Sequence, residues 1–274
     1  MRISVGGIPL ALAVGALAWS SLSAASDVAR PAAAIAIPAV TNDASADSAQ
    51  SAPPSLAVDP KRANFLGEIA SKDARRVADW VVASGDNHGL PFVIIDKVQA
   101  KVFVFSSVGQ LRGAAMALLG LAHGDDTVPG IGSKKLSAIR PDERTTPAGR
   151  FVATLGHDLD KEVLWVDYDI SLSLHPVIRG VPRDHRAERL ATMSPLDKRI
   201  SFGCINVPVK FFNDVVLKTF TGTNGIVYIL PEVKTIADVF PAFYNVDAPR
   251  LQWVRGQGLR CVFEHRLSRA RTGG

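Results

Sequence analysis

The chain has 274 residues, only two of them Cys, and a formal net charge of +5 from 31 Lys+Arg against 26 Asp+Glu. That excess is local, because Arg250, Arg255, Arg260, Arg266, Arg269 and Arg271 against Glu264 account for all of it and leave everything before them balanced. No His, Cys or carboxylate cluster has metal-ligand spacing and neither common phosphate-cradling Gly loop is present, so the sequence calls for no metal and no cofactor.

Met1 and Arg2 precede an apolar run from Ile8 to Trp19 that ends in small residues, Ser20 to Ala25. This is the layout of a secretory signal peptide over residues 1–25: a charged start, an apolar stretch too short for a comfortable membrane span, and a cleavage zone. An uncleaved N-terminal anchor is the alternative, and the lack of a Cys near the cleavage zone excludes a lipoprotein anchor. Export makes nucleic acid a poor partner whatever the charge. Residues 26–60 are Ala, Ser, Pro, Asp and Val with almost no aromatics; they cannot bury enough apolar surface to offset their ordering entropy, and read as a flexible linker.

An N-terminal helical segment is expected over residues 61–89, with Phe65, Ile69, Val77, Trp80 and Val81 on one side of a helix from Lys61 to Ser84 and a turn at Gly85 to Gly89. Pro91 to Asp96 and Ala100 to Phe105 read as a hairpin, and Gln110 to Leu121 as a strand feeding a loop. His123 to Arg144 is a long connection of the kind that flanks binding grooves. Further strands are expected after Thr145, at Val163 to Tyr168, at Ile170 to Leu174 ending in His175, and at Gly225 to Leu230. Short strands dominate, so the fold is expected to be mainly β: a mostly antiparallel sandwich or barrel-like sheet with a few packed helices over residues 90–232, followed by an extension over 233–274 with the basic tail.

Cys204 lies between Gly203 and an apolar helix expected from Pro208 to Thr219. A lone apolar-flanked Cys is ordinarily inert core. Here Val209, Phe212, Val215, Val216 and Phe220 fill the helix's buried face without it, which frees the thiol for the loop, where a helix start favours a thiolate. In an exported chain a disulfide between Cys204 and Cys261 is the other reading of both residues.

Thr-Pro-x-Gly-x-Phe at Thr146 to Phe151, a strand ending in His175, and Ser-x-Gly-Cys-Ile-Asn at Ser201 to Asn206 together resemble the catalytic domain of the L,D-transpeptidases, the YkuD-like family, over about Leu90 to Pro231. The resemblance implies the fold of that domain and peptidoglycan chemistry. A cysteine would attack the stem tetrapeptide at the carbonyl of its third residue, release the terminal D-alanine, and pass the acyl group to an acceptor amine. Some members of the family use a lipoprotein, a D-amino acid or water as acceptor. The expected location is the periplasm of a Gram-negative bacterium and the expected partners are peptidoglycan stem peptides, with the basic tail meeting anionic lipid or polymer, unless that tail is only a solubilising end.

Acyl transfer needs a nucleophile, a base and oxyanion donors. Cys204 is the expected nucleophile, and the backbone N–H groups of Gly203 and Cys204 the expected donors. His175 matches the family's strand-end His by context but lies twenty-nine positions before Cys204, farther than is usual; His185, nineteen before, fits the count but sits among charged residues. Context selects His175, with Ile178 to Lys198 as an inserted cap beside the site. Phe202 stands where the family motif has His and cannot transfer a proton, so it is either a shaping residue of an active enzyme or a mark of a silent module that only binds peptidoglycan. Ser201 is expected to orient the imidazole or line the oxyanion pocket, or else to cap its own turn. Asn206 is expected to shape the site or, as the structural alternative, to cap the following helix. Arg199 is expected to meet a substrate carboxylate, a solvated surface Arg being the default. A papain-type hydrolase does not fit so strand-rich a pattern.

Overall fold

Side-chain alternation divides the central sheet into two faces. Along β1 (Phe92–Asp96), Val93 and Ile95 enter one apolar layer while Phe92 and Ile94 enter another. In β2 (Lys101–Phe105), Val102 and Val104 separate in the same way from Phe103 and Phe105. The computed structural model describes residues 61–178, 180, 182–248, 251–254 and 258–261. The expected signal peptide, the linker and most of the basic tail lie outside them.

After β2 come β3 (Leu111–Met116), β4 (Leu119–Gly120), β5 (Gly149–Asp158), β6 (Lys161–Asp167), β7 (Leu172–Pro176), β8 (Arg199–Ser201), β9 (Ile205–Val207) and β10 (Gly225–Ile229). Eight of these form one sheet in the order β3-β2-β1-β10-β5-β6-β7-β9. Its pairings are antiparallel except β1 with β10 and β7 with β9. The two ends of the sheet meet: just past β3, Leu118 N–H donates to Asn206 O at 2.8 Å and Asn206 N–H returns to Leu118 O at 2.9 Å. The mainly β, barrel-like expectation therefore holds, and Asn206 sits at the seam.

The inner layer is closed by the helix that follows Pro208, built of Val209–Phe211, a π-helical stretch Phe212–Leu217, and Lys218–Phe220 (together α3). It inserts Phe211, Phe212, Val216 and Phe220 against Val93, Val102, Leu164, Leu174 and Val227. The outer layer is covered by α1 (Lys72–Ser84), whose Val77, Trp80 and Val81 pack on Phe92, Phe103, Phe105 and Tyr228. Among the residues after β10, a short helix Ile236–Val239 leads to Phe240 and Phe243, whose rings lie against Trp80. Leu251–Val254 and Gly258–Cys261 pair as a separate antiparallel hairpin.

The N-terminal helix is shorter than expected. It starts at Lys72 because Ser71 is its N-cap, accepting from Ala74 N–H at 3.1 Å, and it ends at Gly85, where φ is +73° and the N–H returns to Val81 O. Residues 61–70 instead run along the β2–β3 turn, with Asn64 N–H on Gly109 O and Leu111 N–H on Asn64 O. Phe65 remains buried on Phe103 and Phe105, but Ile69, assigned above to the same apolar side, is 81% exposed.

Candidate active site

Strand geometry brings the chemistry together. In β7, Leu172 and Leu174 point into the barrel core, so Ser173 and His175 take the opposite face. β9 runs parallel beside β7 with Leu174 opposite Ile205 and His175 opposite Asn206, and this register sets Cys204 level with Ser173. Ser173 Oγ donates to Cys204 Sγ at 3.6 Å and the thiol lies 3.4 Å from Ser171 O. The His175 imidazole lies close enough to the same sulfur to act on its charge. Cys204 is a free, half-buried thiol rather than half of a disulfide.

The turn that presents Cys204 is locked from two sides. Ser201 Oγ donates to Cys204 O at 2.7 Å and accepts Gly203 N–H at 3.1 Å. Thr146 Oγ1, fully buried, donates to Gly203 O at 2.6 Å and accepts Gly120 N–H at 2.9 Å. Ser201 thus caps its own turn and does not reach the imidazole. Because Gly203 N–H is used within the turn, it is subtracted from the expected oxyanion donors, which leaves the Cys204 N–H as the candidate. Gly203 has φ +134°, and a Cβ there would lie 2.9 Å from Thr145 O, a backbone atom that cannot swing away. Gly203→Ala should therefore cost roughly 1–3 kcal/mol and slow Cys204 alkylation. Chemical denaturation beside an iodoacetamide time course checks both, and a variant as stable and reactive as the wild type would contradict this account of the turn.

Electrostatically, Cys204 and His175 are coupled. Burial pushes the thiol up, but the neighbouring His175 imidazole and Ser173 outweigh it, and Cys204 lies below the ordinary thiol range. Burial pushes the imidazole down, but Cys204, the Pro176 carbonyl and Asp158 outweigh it and raise His175. Since Pro176 O can only accept, its 2.8 Å contact with Nδ1 fixes that nitrogen as the donor and leaves Nε2 as the basic atom. His185, by contrast, is exposed at the start of α2 (Arg186–Ala191) with φ +46°.

Asn206 does not cap α3. That helix begins after Pro208 with no side-chain cap, whereas the Asn206 side chain, 1% exposed, contacts His175 Nε2 at 3.1 Å and Cys204 O at 3.3 Å through Nδ2. Phe202 is half-buried and carries the Arg144 guanidinium 4.0 Å above its ring. Arg199 is neither solvated nor free for a substrate carboxylate: its guanidinium is 10% exposed and bonded to Glu232 and to Lys97 O.

Arg199 belongs to a buried charge cluster that anchors the approach to the turn. Lys97 Nζ, with no exposed side-chain surface, meets Asp125 at 2.7 Å, Glu232 at 3.5 Å and Thr146 O at 3.0 Å. Asp125 also accepts three backbone N–H groups, from Glu232, Val233 and Lys234. Burial raises the Asp125 carboxyl, yet these bonds and Lys97 bring it down to about 2 from 3.8. A depressed carboxyl stabilises the fold above its unfolded pKa, and that contribution is lost as pH falls from about 4 towards 2. It is worth roughly 2 kcal/mol. Urea denaturation at steps from pH 5 to pH 2.5 should show this acid limb in the wild type and a flatter one in Asp125→Asn; equal slopes would contradict it.

The connection from His123 to Arg144 packs beside the site, with Ser171 Oγ donating to Gly132 O at 3.2 Å. The inserted segment carries α2 and a turn Pro195–Lys198, whose Lys198 Nζ donates to Thr192 O and Arg189 O at the end of α2. A cleft of about 510 Å³ opens against His175, lined by Asp158, Lys161, Glu162, Val177, Ile178 and Phe212. Sequence reading missed Ser173, Thr146 as the lock of the turn, and the Pro176 carbonyl. Ser173 was within reach, since it shares a strand face with His175 two positions on.

No known family profile matches the chain, and no curated protein matches it. Among solved structures it is similar to an L,D-transpeptidase from Xylanimonas cellulosilytica (12% identity, TM-score 0.31, covering 51% of this chain and 60% of that one). It is also similar to the helical cell shape determining protein Pgp2 from Campylobacter jejuni (14%, 0.33, 53% and 49%) and to an L,D-transpeptidase from Mycobacterium tuberculosis (13%, 0.30, 51% and 57%). The chain spans about half to three-fifths of the length of these structures. Likeness at this level leaves the activity to be argued from the residues.

Proposed function

We propose that this chain is an exported cysteine acyltransferase of the L,D-transpeptidase kind, acting on peptidoglycan stem tetrapeptides. The observation that carries the reading is a free thiol, Cys204, set by the β7–β9 register beside an imidazole whose Nδ1 is tied to Pro176 O, so that Nε2 serves as the base. The motif residues Thr146, Ser201 and Gly203 support it, since all three act on the one turn that presents the thiol.

In the first step the Cys204 thiolate attacks the carbonyl carbon of the third stem residue, and the Cys204 N–H meets the developing oxyanion. The bond to D-alanine breaks and His175 Nε2–H protonates the leaving amine, giving a thioester. In the second step an acceptor amine attacks the thioester, Nε2 takes its proton, and the thiolate leaves. Phe202 takes no part in proton transfer. The periplasm of a Gram-negative bacterium is the place where such a chain would meet its substrate.

Purified protein lacking residues 1–25, incubated with disaccharide-tetrapeptide, tests the reading by product analysis. Cross-linked dimers with released D-alanine are expected. Tripeptide monomers would assign water as acceptor and make the chain a carboxypeptidase. Folded protein with a free Cys204 and no turnover would contradict the reading and favour a silent peptidoglycan-binding module, as Phe202 would then suggest.

A further inference from the structure

The inserted segment reaches the base through a chain of hydrogen bonds. Arg186 at the start of α2 donates from Nη1 to Asn206 Oδ1 at 3.0 Å, and Asn206 Nδ2 faces His175 Nε2 at 3.1 Å and Cys204 O at 3.3 Å. The orientation of this amide is fixed by partners of unambiguous sign. A guanidinium can only donate, so Oδ1 must face it, and a carbonyl can only accept, so Nδ2 must face Cys204 O. Nδ2 therefore points a donor at Nε2, which must offer its lone pair. Pro176 O at Nδ1 requires the same tautomer independently.

Arg186 is built into place. Its side chain is 14% exposed, its Nε donates to Asp184 at 3.2 Å, and the backbone of Gly180, with φ +62°, passes so close that a Cβ there would lie 2.9 Å from Nε.

We infer that Arg186 is a positioning residue: by holding the Asn206 amide it keeps a hydrogen-bond donor against His175 Nε2, favouring the neutral imidazole and opposing the imidazolium that Cys204 promotes. The consequence is a base that rests with its lone pair free, ready to take the Cys204 proton as the sulfur attacks and then to pass it to the leaving amine. Without Arg186 the amide is free to turn, Oδ1 accepts from a protonated Nε2, and the thiolate–imidazolium pair becomes the resting form. The charged and titratable groups around the ring are Cys204 on the turn, Asp158, Lys161 and Glu162 from the β5–β6 hairpin, and Arg186 with Asp184 from the inserted segment; α3 contributes the uncharged Asn213.

The inference rests on Cys204 and His175 being nucleophile and base, but its test needs no peptidoglycan. The rate of iodoacetamide alkylation of Cys204 is measured against pH in the full chain, for the wild type, Arg186→Met, Arg186→Lys, Asn206→Leu and the double variant Arg186→Met/Asn206→Leu. At the acid foot of the profile Arg186→Met and Asn206→Leu should each react on the order of tenfold faster than the wild type, the worth of one hydrogen bond to a charged group. Arg186→Lys should restore the wild-type curve, and the double variant should match Asn206→Leu alone. Loss of the Arg186 charge, or release of Asp184, acting directly on the pair would instead add to the effect of Asn206→Leu. An additive cycle, a slower Arg186→Met or an unchanged one overturns the inference. Ring ¹⁵N shifts of His175 in the wild type give a second reading that no variant's folding can obscure: the Nδ1–H tautomer is expected above its titration, and an Nε2–H tautomer would equally overturn it.

Discussion

Cys204→Ala should lower acyl transfer from a stem tetrapeptide at least about 10⁴-fold while leaving the chain folded. The sulfur makes only soft contacts, to Ser173 Oγ at 3.6 Å and Ser171 O at 3.4 Å, so its loss leaves one hydroxyl without a sulfur partner and should cost no more than about 1–2 kcal/mol. The turn survives, because Ser201 and Thr146 hold it through backbone atoms that Ala retains. The chemistry does not survive. Ser173 is the nearest hydroxyl, but a serine lacks the depressed pKa that makes Cys204 reactive. Thermal melts beside quantified D-alanine release separate the two effects. A folded variant keeping more than about 1% of the wild-type rate would place the nucleophile elsewhere.

His175→Gln should lower the same rate by about 10²–10⁴-fold and should also change the thiol itself. In the wild type, burial pushes Cys204 up and His175 outweighs that push. Removing the imidazole leaves burial opposed only by Ser173, so the alkylation profile should move to higher pH and reactivity near neutral pH should fall. The sign is informative: a residue that merely filled space would change the rate without moving the profile. His185→Gln, at an exposed position outside the site, should change neither quantity. If His185→Gln reproduced the loss and His175→Gln did not, the assignment of the base would be reversed.

What was legible in the sequence was what local pattern controls. Alternation in Phe92 to Phe105 announced the β1–β2 hairpin, the apolar spacing after Pro208 announced α3, and the pattern of Ile170 to Leu174 placed His175 near the end of β7, although that strand begins only at Leu172 and runs on to Pro176. The first eleven residues expected in the N-terminal helix, 61–71, failed because Ser71 is a cap, a local signal outweighed by the apolar residues before it, which pack as a non-helical segment. The cap reading of Asn206 and the substrate reading of Arg199 failed for a different reason. Their roles depend on long-range pairing: β9 lies parallel to β7 and closes the barrel on Leu118, while Arg199 meets Glu232 from a segment beyond β10. No spacing rule announces either. A polar residue beside a nucleophile was read as a cap or a substrate ligand when the fold uses it to hold the base and the turn.

The central claim is that Cys204 carries the acyl group. Intact-mass analysis of the chain mixed with disaccharide-tetrapeptide and quenched within the first turnovers tests it most directly, with peptide mapping of any adduct. The account predicts a disaccharide-tripeptide acyl adduct on Cys204, formed as D-alanine appears, chased away by acceptor amine, and absent from Cys204→Ala. D-alanine release that persists in Cys204→Ala, or a folded wild type whose Cys204 alkylates readily yet never carries the acyl group, would contradict it.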